Sequence, residues 1–299
     1  PRATAGLQDT IHEVVNGLID RVEEDGRCDI VTDIARPYPT PIICALIGAP
    51  REDWHLFADW TEEIFKAFNF STEVTFDESE IMRAWGELDA YVDGMVAARR
   101  DSLTNDLLSE LIRAESDGDR LNADELRGLV AGFLMAGTDT TRNQLAASVQ
   151  VLCEHPDQWA KLRDHPELAM QAVEESMRHS PAACIVPRAA TQDAVFGGYA
   201  FPAGTFVFVN TMAANRDPAI YDDADRFDIA RTDVPAILTF GGGAHYCLGA
   251  NLARRELAER ADARRGRSRV RHLEVGDLHL AAPREQDLPR AERVVHEPE

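Results

Sequence analysis

Apolar residues recur every three to four positions through most of the first half of the chain. In residues 6–24, Leu7, Ile11, Val14, Val15, Leu18, Ile19 and Val22 share one helical face. The proline-rich step Arg36-Pro37-Tyr38-Pro39-Thr40-Pro41 then breaks the pattern. A helix over residues 51–68 carries Trp54, Phe57, Trp60, Ile64 and Phe65, and another over 77–100 carries Ile81, Trp85, Leu88, Val92 and Val96. Aromatic stripes at this spacing belong to a core. After Asn105-Asp106 comes a short apolar stretch, Leu107 to Ile112. The longest helix opens at Asn122, which has the capping-box spacing to Glu125. It runs through Leu126, Val130, Phe133, Leu134, Leu145, Val149 and Leu152 to His155-Pro156, about 45 Å at the standard rise. A further helix holds Leu168, Ala172, Val173, Ser176 and Met177 and stops before Pro181.

The period then changes. Val195 to Val209 alternates around Gly197-Gly198 and Gly204, which reads as short strands with glycine turns. The predicted class is mainly α with a small β part, one domain, without internal repeats.

Beyond the strands lies Phe240-Gly241-Gly242-Gly243-Ala244-His245-Tyr246-Cys247-Leu248-Gly249, followed at once by helix-forming sequence from Ala250. The N-terminal end of a helix favours anions, thiolates included. Glycines before it allow backbone to approach a flat, bulky partner. His245, two residues before the sulfur, is placed to reach an anionic group on that partner. A thiolate, close backbone and a hydrogen-bonding side chain suit haem iron. The plainer readings are a phosphate nest or a buried structural cysteine, but the Gly-Lys-Ser/Thr of a phosphate loop is missing.

This loop resembles the haem-ligand signature of the cytochrome P450 family, with Phe240, Gly243, His245, Cys247 and Gly249 in its fixed places. The resemblance implies that fold: a long central helix over haem b, with Cys247 as the iron ligand and Phe240, Gly241, His245 and Gly249 around it. Ala136-Gly137-Thr138-Asp139-Thr140-Thr141, on the long helix, is similar to the family's oxygen-binding groove. Taken alone it is a helix-packing notch with a solvated acid. The resemblance implies instead that Ala136 and Gly137 make room for dioxygen, that Thr140 hydrogen-bonds it and that Asp139 relays protons. Thr140 is also placed to turn its hydroxyl to a backbone carbonyl one turn back. Glu175 and Arg178, three apart, are by themselves a surface pair. In context they resemble the family's Glu-x-x-Arg motif, with Arg226 expected as third member of a buried structural network. Arg188 matches the arginine that pairs a haem propionate. Phe133, Leu134, Ile185 and Val186 are expected to line an apolar pocket.

Bulk properties narrow the partners. The chain has 299 residues, is 44% hydrophobic and carries a net charge of −21. That charge speaks against nucleic acid, which needs clustered Lys and Arg, and against an anionic membrane surface. Pro41 to Ile47 is the best apolar run and is far short of a membrane span. Five cysteines at scattered spacing imply no disulfide framework. A cytoplasmic location follows, with no signal peptide visible.

The expected activity is therefore that of a soluble bacterial haem-thiolate monooxygenase acting with dioxygen on an apolar small molecule. Its electrons would come from a ferredoxin- or flavodoxin-type donor, and Arg254 and Arg255 are the expected docking cations. Two alternatives are a peroxide-dependent haem-thiolate enzyme and a truncated, non-catalytic haem-binding or partner-binding fragment. The resemblance covers residues 1–259 as a catalytic domain. The chain begins at Pro1 and is expected to lack the family's opening segment, and 260–299 is expected to be a divergent or disordered tail.

Overall fold

The computed structural model describes residues 6–259 except 24, 26, 69–76, 117–120 and 233–234. The tail expected over 260–299 lies outside the described residues.

Six helices build the larger part: α1 (Gln8–Glu23), α2 (Pro39–Ile47), α3 (Trp54–Phe65), α4 (Glu78–Arg100), α5 (Leu107–Ser116) and α6 (Ala123–Glu154). The capping box at α6 is present in full, with Asn122 accepting from the Glu125 N–H and Glu125 accepting from the Asn122 N–H. One prediction is corrected between residues 30 and 47. The proline step does not merely break the chain, because Pro39 opens α2 behind Tyr38. Proline is tolerated at a first helical position, where its missing N–H would have had no partner. Before it, Ile30–Ala35 forms a short π-helical turn capped by the Asp29 carboxylate.

The core gathers Ile11, Ile42, Ile43, Phe57, Ile64, Leu88, Val92, Leu108, Val130 and Leu134 around α6. Helix α2 lies tightly on α6. A Cβ added at Gly137 would stand 2.5 Å from Ile43 Cδ1, so a larger residue would have to displace that buried side chain.

The second part holds α7 (Pro156–Asp164) and α8 (Ala169–His179), then β1 (Ile185–Ala189), β2 (Ala194–Phe196), β3 (Tyr199–Phe201) and β4 (Phe206–Asn210). Strand β1 pairs antiparallel with β4, and β2 with β3. Gly197 and Gly198 make the β2–β3 turn at φ 58° and 83°, as a tight hairpin requires. Arg188 lies within β1, opposite Val207. The short α9 (Thr211–Ala214) and the final α10 (Ala250–Ala258) complete the described chain.

Two small clusters join the parts. Val151, Leu152, Ala172, Phe227 and Ile229 seal the end of α6 against α8. Val173, Met177 and Ile237 pack with Phe240 and Leu257, which sets the base of the Cys247 loop on α8. Tyr38 donates to the Glu256 carbonyl at 2.7 Å and ties the start of α2 to α10.

Candidate functional site

The loop from Phe240 to Gly249 is closed by its own backbone. The Cys247 N–H donates to the Phe240 carbonyl at 2.9 Å, and the Tyr246 N–H to that of Gly243 at 3.1 Å. Gly241 and Gly243 sit at φ 72° and 65°, where an L side chain is strained. The loop ends at Gly249, the N-cap of α10. Cys247 is thus two residues outside the helix. It is the exposed member of the five cysteines. Cys44 is buried. Burial pushes the thiols of Cys44, Cys28 and Cys153 up, with nearby carboxylates adding to the effect at the last two. A thiol held up in this way is a poor ligand. The donor set therefore fits a metal centre that takes one sulfur from the protein. Leu248 beside it is 79% exposed and offers an apolar surface to a flat ring system.

The loop is braced from below. The Arg254 guanidinium stands 4.5 Å over the Phe240 ring, pairs with Glu174 on α8, and donates to Tyr246 Oη at 3.2 Å. Arg254, expected as a docking cation with Arg255, thus also braces the loop, while Arg255 is exposed.

Arg178 is 1% exposed. Its Nε and Nη2 donate to the two oxygens of Glu175 at 2.7 and 2.9 Å, a bidentate pair. Its remaining donors reach the carbonyls of Asn215, Ala224 and Arg226 at 3.0, 2.7 and 2.9 Å. Arg226 contributes only that carbonyl, and its own side chain is 62% exposed toward Asp228. The third charged member is Arg231, whose Nε lies 3.4 Å from Glu175 Oε1 at 13% exposure. From the network the connection runs on to the loop. Asn215 donates to Thr239 Oγ1 at 2.9 Å and accepts from the Leu238 N–H at 2.7 Å, and Thr239 donates to the Met177 carbonyl at 2.8 Å. Leu238 and Thr239 directly precede Phe240. Asn215 and Thr239 carried no sequence signal, being single polar residues outside any periodic element.

On α6, Thr140 Oγ1 donates to the Ala136 carbonyl at 2.6 Å, as anticipated. Asp139 pairs with Arg142 at 2.5 Å and accepts from Asn143 at 3.1 Å. Ala136 and Thr140 border a cavity of ≈ 550 Å³, together with Phe65, Trp85 and Met135. Gly137 is on the α2 side, against Ile43. The apolar lining differs from the expected one. Leu134 is wholly buried in the core, and Phe133, Ile185 and Val186 are not among the lining residues. Arg188 is exposed and donates to its neighbour's carbonyl, Pro187, at 2.8 Å. His245 is exposed at the end of a short turn, Gly243–His245.

Glu256 on α10 escaped the sequence reading. It is 3% exposed, and its Oε1 has no hydrogen-bond partner. Burial pushes this carboxyl up to about 8, against a smaller opposing effect of its hydrogen bond with Thr141. The unfolded chain releases that proton near 4.5 and the folded chain near 8. The folded state therefore binds more protons in between. Stability is highest below that window and falls as pH rises through it, by up to about 1.4 kcal/mol per pH unit. Glu256→Gln is expected to flatten this dependence in melting curves taken across the window. An unchanged slope would show that another group titrates.

A sequence model of the family described as Cytochrome P450 matches residues 4–258. Luteothin monooxygenase of Streptomyces thioluteus is 39% identical over 264 residues, which is 87% of this chain and 63% of that protein. Nocardicin C N-oxygenase of Nocardia uniformis subsp. tsuyamanensis is 40% identical over 82% of this chain and 60% of its own length. The chain thus spans a little under two thirds of these relatives. Among solved structures, the LnmA cytochrome P450 hydroxylase of Streptomyces atroolivaceus superposes with a TM-score of 0.76 at 41% identity, over 85% of this chain and 65% of that one.

Proposed function

This chain belongs to the cytochrome P450 family, whose cofactor is haem b, and on that premise we propose that it is a haem-thiolate monooxygenase. In this reading residues 1–259 form the catalytic unit. It puts one atom of dioxygen into an apolar small molecule and reduces the other to water. Electrons come from a ferredoxin- or flavodoxin-type donor. The observation that carries the reading is Cys247, an exposed thiol on a glycine-shaped loop at the foot of α10. The relatives named as oxygenases support it. The reading places the enzyme in the cytoplasm, and no helix among the described residues is long and apolar enough to cross a membrane.

Haem b, when bound, would supply the iron centre for oxygen activation, with electron density from a thiolate ligand favouring O–O cleavage. The remaining work falls to the chain. Cys247 would hold the iron through Sγ. Phe240, Gly241 and Gly249 shape the loop, and Arg188 and His245 would be donors for the cofactor's carboxylates. Gly137 lets α6 settle on α2, which leaves the small side chain of Ala136 and the hydroxyl of Thr140 at the cavity. With its proton given to the Ala136 carbonyl, Thr140 Oγ1 is an acceptor toward the cavity; rotation turns it into a donor. Asp139 holds an exchangeable proton site on the same turn, and handing a proton on requires it to leave Arg142 and Asn143.

The test is the reduced, carbon monoxide-treated spectrum of the haem-loaded chain. A strongly red-shifted band is expected. A shorter-wavelength band, or none, favours a haem-binding or partner-binding fragment instead. Turnover sustained by peroxide without an electron donor would favour the peroxide-dependent reading, which has no use for the Asp139–Thr140 pair.

Thr140→Ala is expected to keep haem but to divert reducing equivalents to peroxide, read as product formed per reduced cofactor consumed. Asp139→Asn is expected to slow turnover roughly 10²-fold, because an amide does not exchange protons as a carboxylate does. Unchanged coupling in Thr140→Ala would return this segment to a packing notch.

A further inference from the structure

The cavity beside α6 has an apolar stretch at Ala136 and Met135 and a charged far end. From Arg127 to Thr140 the helix advances about 20 Å at its standard rise, so the cavity is long rather than round.

At the far end a cation is present but already engaged. Arg127 Nε and Nη2 donate to the two oxygens of Asp93 at 2.7 and 3.0 Å, and Nη1 donates to Asp124 at 3.2 Å. Three of its five N–H donors are taken by carboxylates, and an anionic ligand would meet those two acids beside the cation.

Asp89 belongs to the same charged end, where its carboxylate acts on Arg127 through space beside Asp93 and Asp124, so three acids there outnumber one cation. Asp89 lines the cavity, is half-buried, and makes no hydrogen bond or ion pair among the described residues. Trp85 lines the same wall one turn earlier on α4, and residues four apart share a helix face. An aromatic face and a carboxylate one turn apart are complementary to an ammonium group. Across from them, a Cβ at Gly128 or Gly132 of α6 would meet nothing within 4 Å. Glycine is unfavourable inside a helix, and here its effect is to leave room for the body of a ligand.

We infer that the cavity takes an elongated apolar substrate with a basic nitrogen at one end, its ammonium paired with Asp89 and set against Trp85. The substrate then lies along α6, and its apolar end reaches Thr140. This deepens the monooxygenase reading and rests on it for which end is oxidised, while the binding itself needs no turnover.

The test is calorimetric titration of the haem-loaded chain with dodecylammonium, dodecanol and laurate, each below its micelle concentration. Dodecylammonium is expected to bind about tenfold more tightly than dodecanol, with laurate weakest. Added salt should shrink the advantage of the amine. Asp89→Asn should bring dodecylammonium to the dodecanol level and leave dodecanol unchanged, while Asp89→Glu restores part of the preference. Equal affinity for the three probes, tighter laurate, no binding of any probe, or an unaltered preference in Asp89→Asn each overturns the inference. The carbon monoxide band is read separately, so failure of the monooxygenase reading is distinguishable from failure of this one.

Discussion

Cys247→Ser is expected to abolish the thiolate-type carbon monoxide band while leaving helix content and the stability of the haem-free chain close to those of the parent. A hydroxyl of nearly the same shape replaces the sulfur but is a poor iron ligand. The side chain is exposed and contributes nothing to the core clusters. Such a surface change shifts stability by about 0.5 kcal/mol or less. The loop is held by the backbone bonds of Cys247 and Tyr246 and by the Phe240 ring, none of which involves Sγ. The measurement is the reduced difference spectrum alongside circular dichroism. A thiolate band that persisted in Cys247→Ser would assign the ligand to another cysteine and remove the basis of the proposed function.

Glu175→Ala and Arg178→Ala are expected to be the most destabilising single changes outside the apolar core, by ~3–5 kcal/mol each. Either leaves a charge uncompensated in a place from which water is excluded. Arg178 has further bonds to lose, because it also holds three carbonyls of the segment from Asn215 to Arg226. That segment positions Leu238 and Thr239 through Asn215. Haem retention should therefore fall together with the urea midpoint, and more than in Thr140→Ala. Two controls separate network from surface. Arg231→Ala should be clearly destabilising, since its guanidinium faces the buried Glu175. Arg226→Ala should be near neutral, because that side chain is exposed and the carbonyl it lends survives the substitution. Unfolding of Glu175→Ala and Arg178→Ala at the parent's urea concentration would show the pair to be dispensable. A large effect of Arg226→Ala with none at Arg231→Ala would reverse the assignment.

Much of the architecture was legible along the chain. Local rules act between neighbours, so periodicity and the Asn122–Glu125 cap located α6, and alternation around Gly197-Gly198 located the β2–β3 hairpin. The π-helical turn at Ile30–Ala35 and the role of Pro39 were not legible, because a proline reads equally as a break and as a first helical position until the following turn has packed. The side chains of the Cys247 loop were legible for a different reason: their chemistry and spacing are local, and positive-φ glycines announce themselves. Asp89 carried no signal of its own. It is one acid in a helix rich in acids, and only the wall of the cavity sets it apart.

By itself the sequence determined the helical class, the long helix with its cap, the glycine-shaped loop and the identity of its thiol, since each rests on residues within a few positions of one another. Tertiary structure decided which groups meet across long separations. The motif pointed to Arg226 as third member of the buried network, and the turn of the chain beyond α8 buried Arg231 there instead while leaving Arg226 in solvent. The same packing set Arg254 against Glu174 and the Phe240 ring, turned Gly137 toward Ile43 and closed Glu256 beneath Thr141. Burial is a property of the whole fold, and burial decides whether a charge is an ion pair in water, a brace or a held proton.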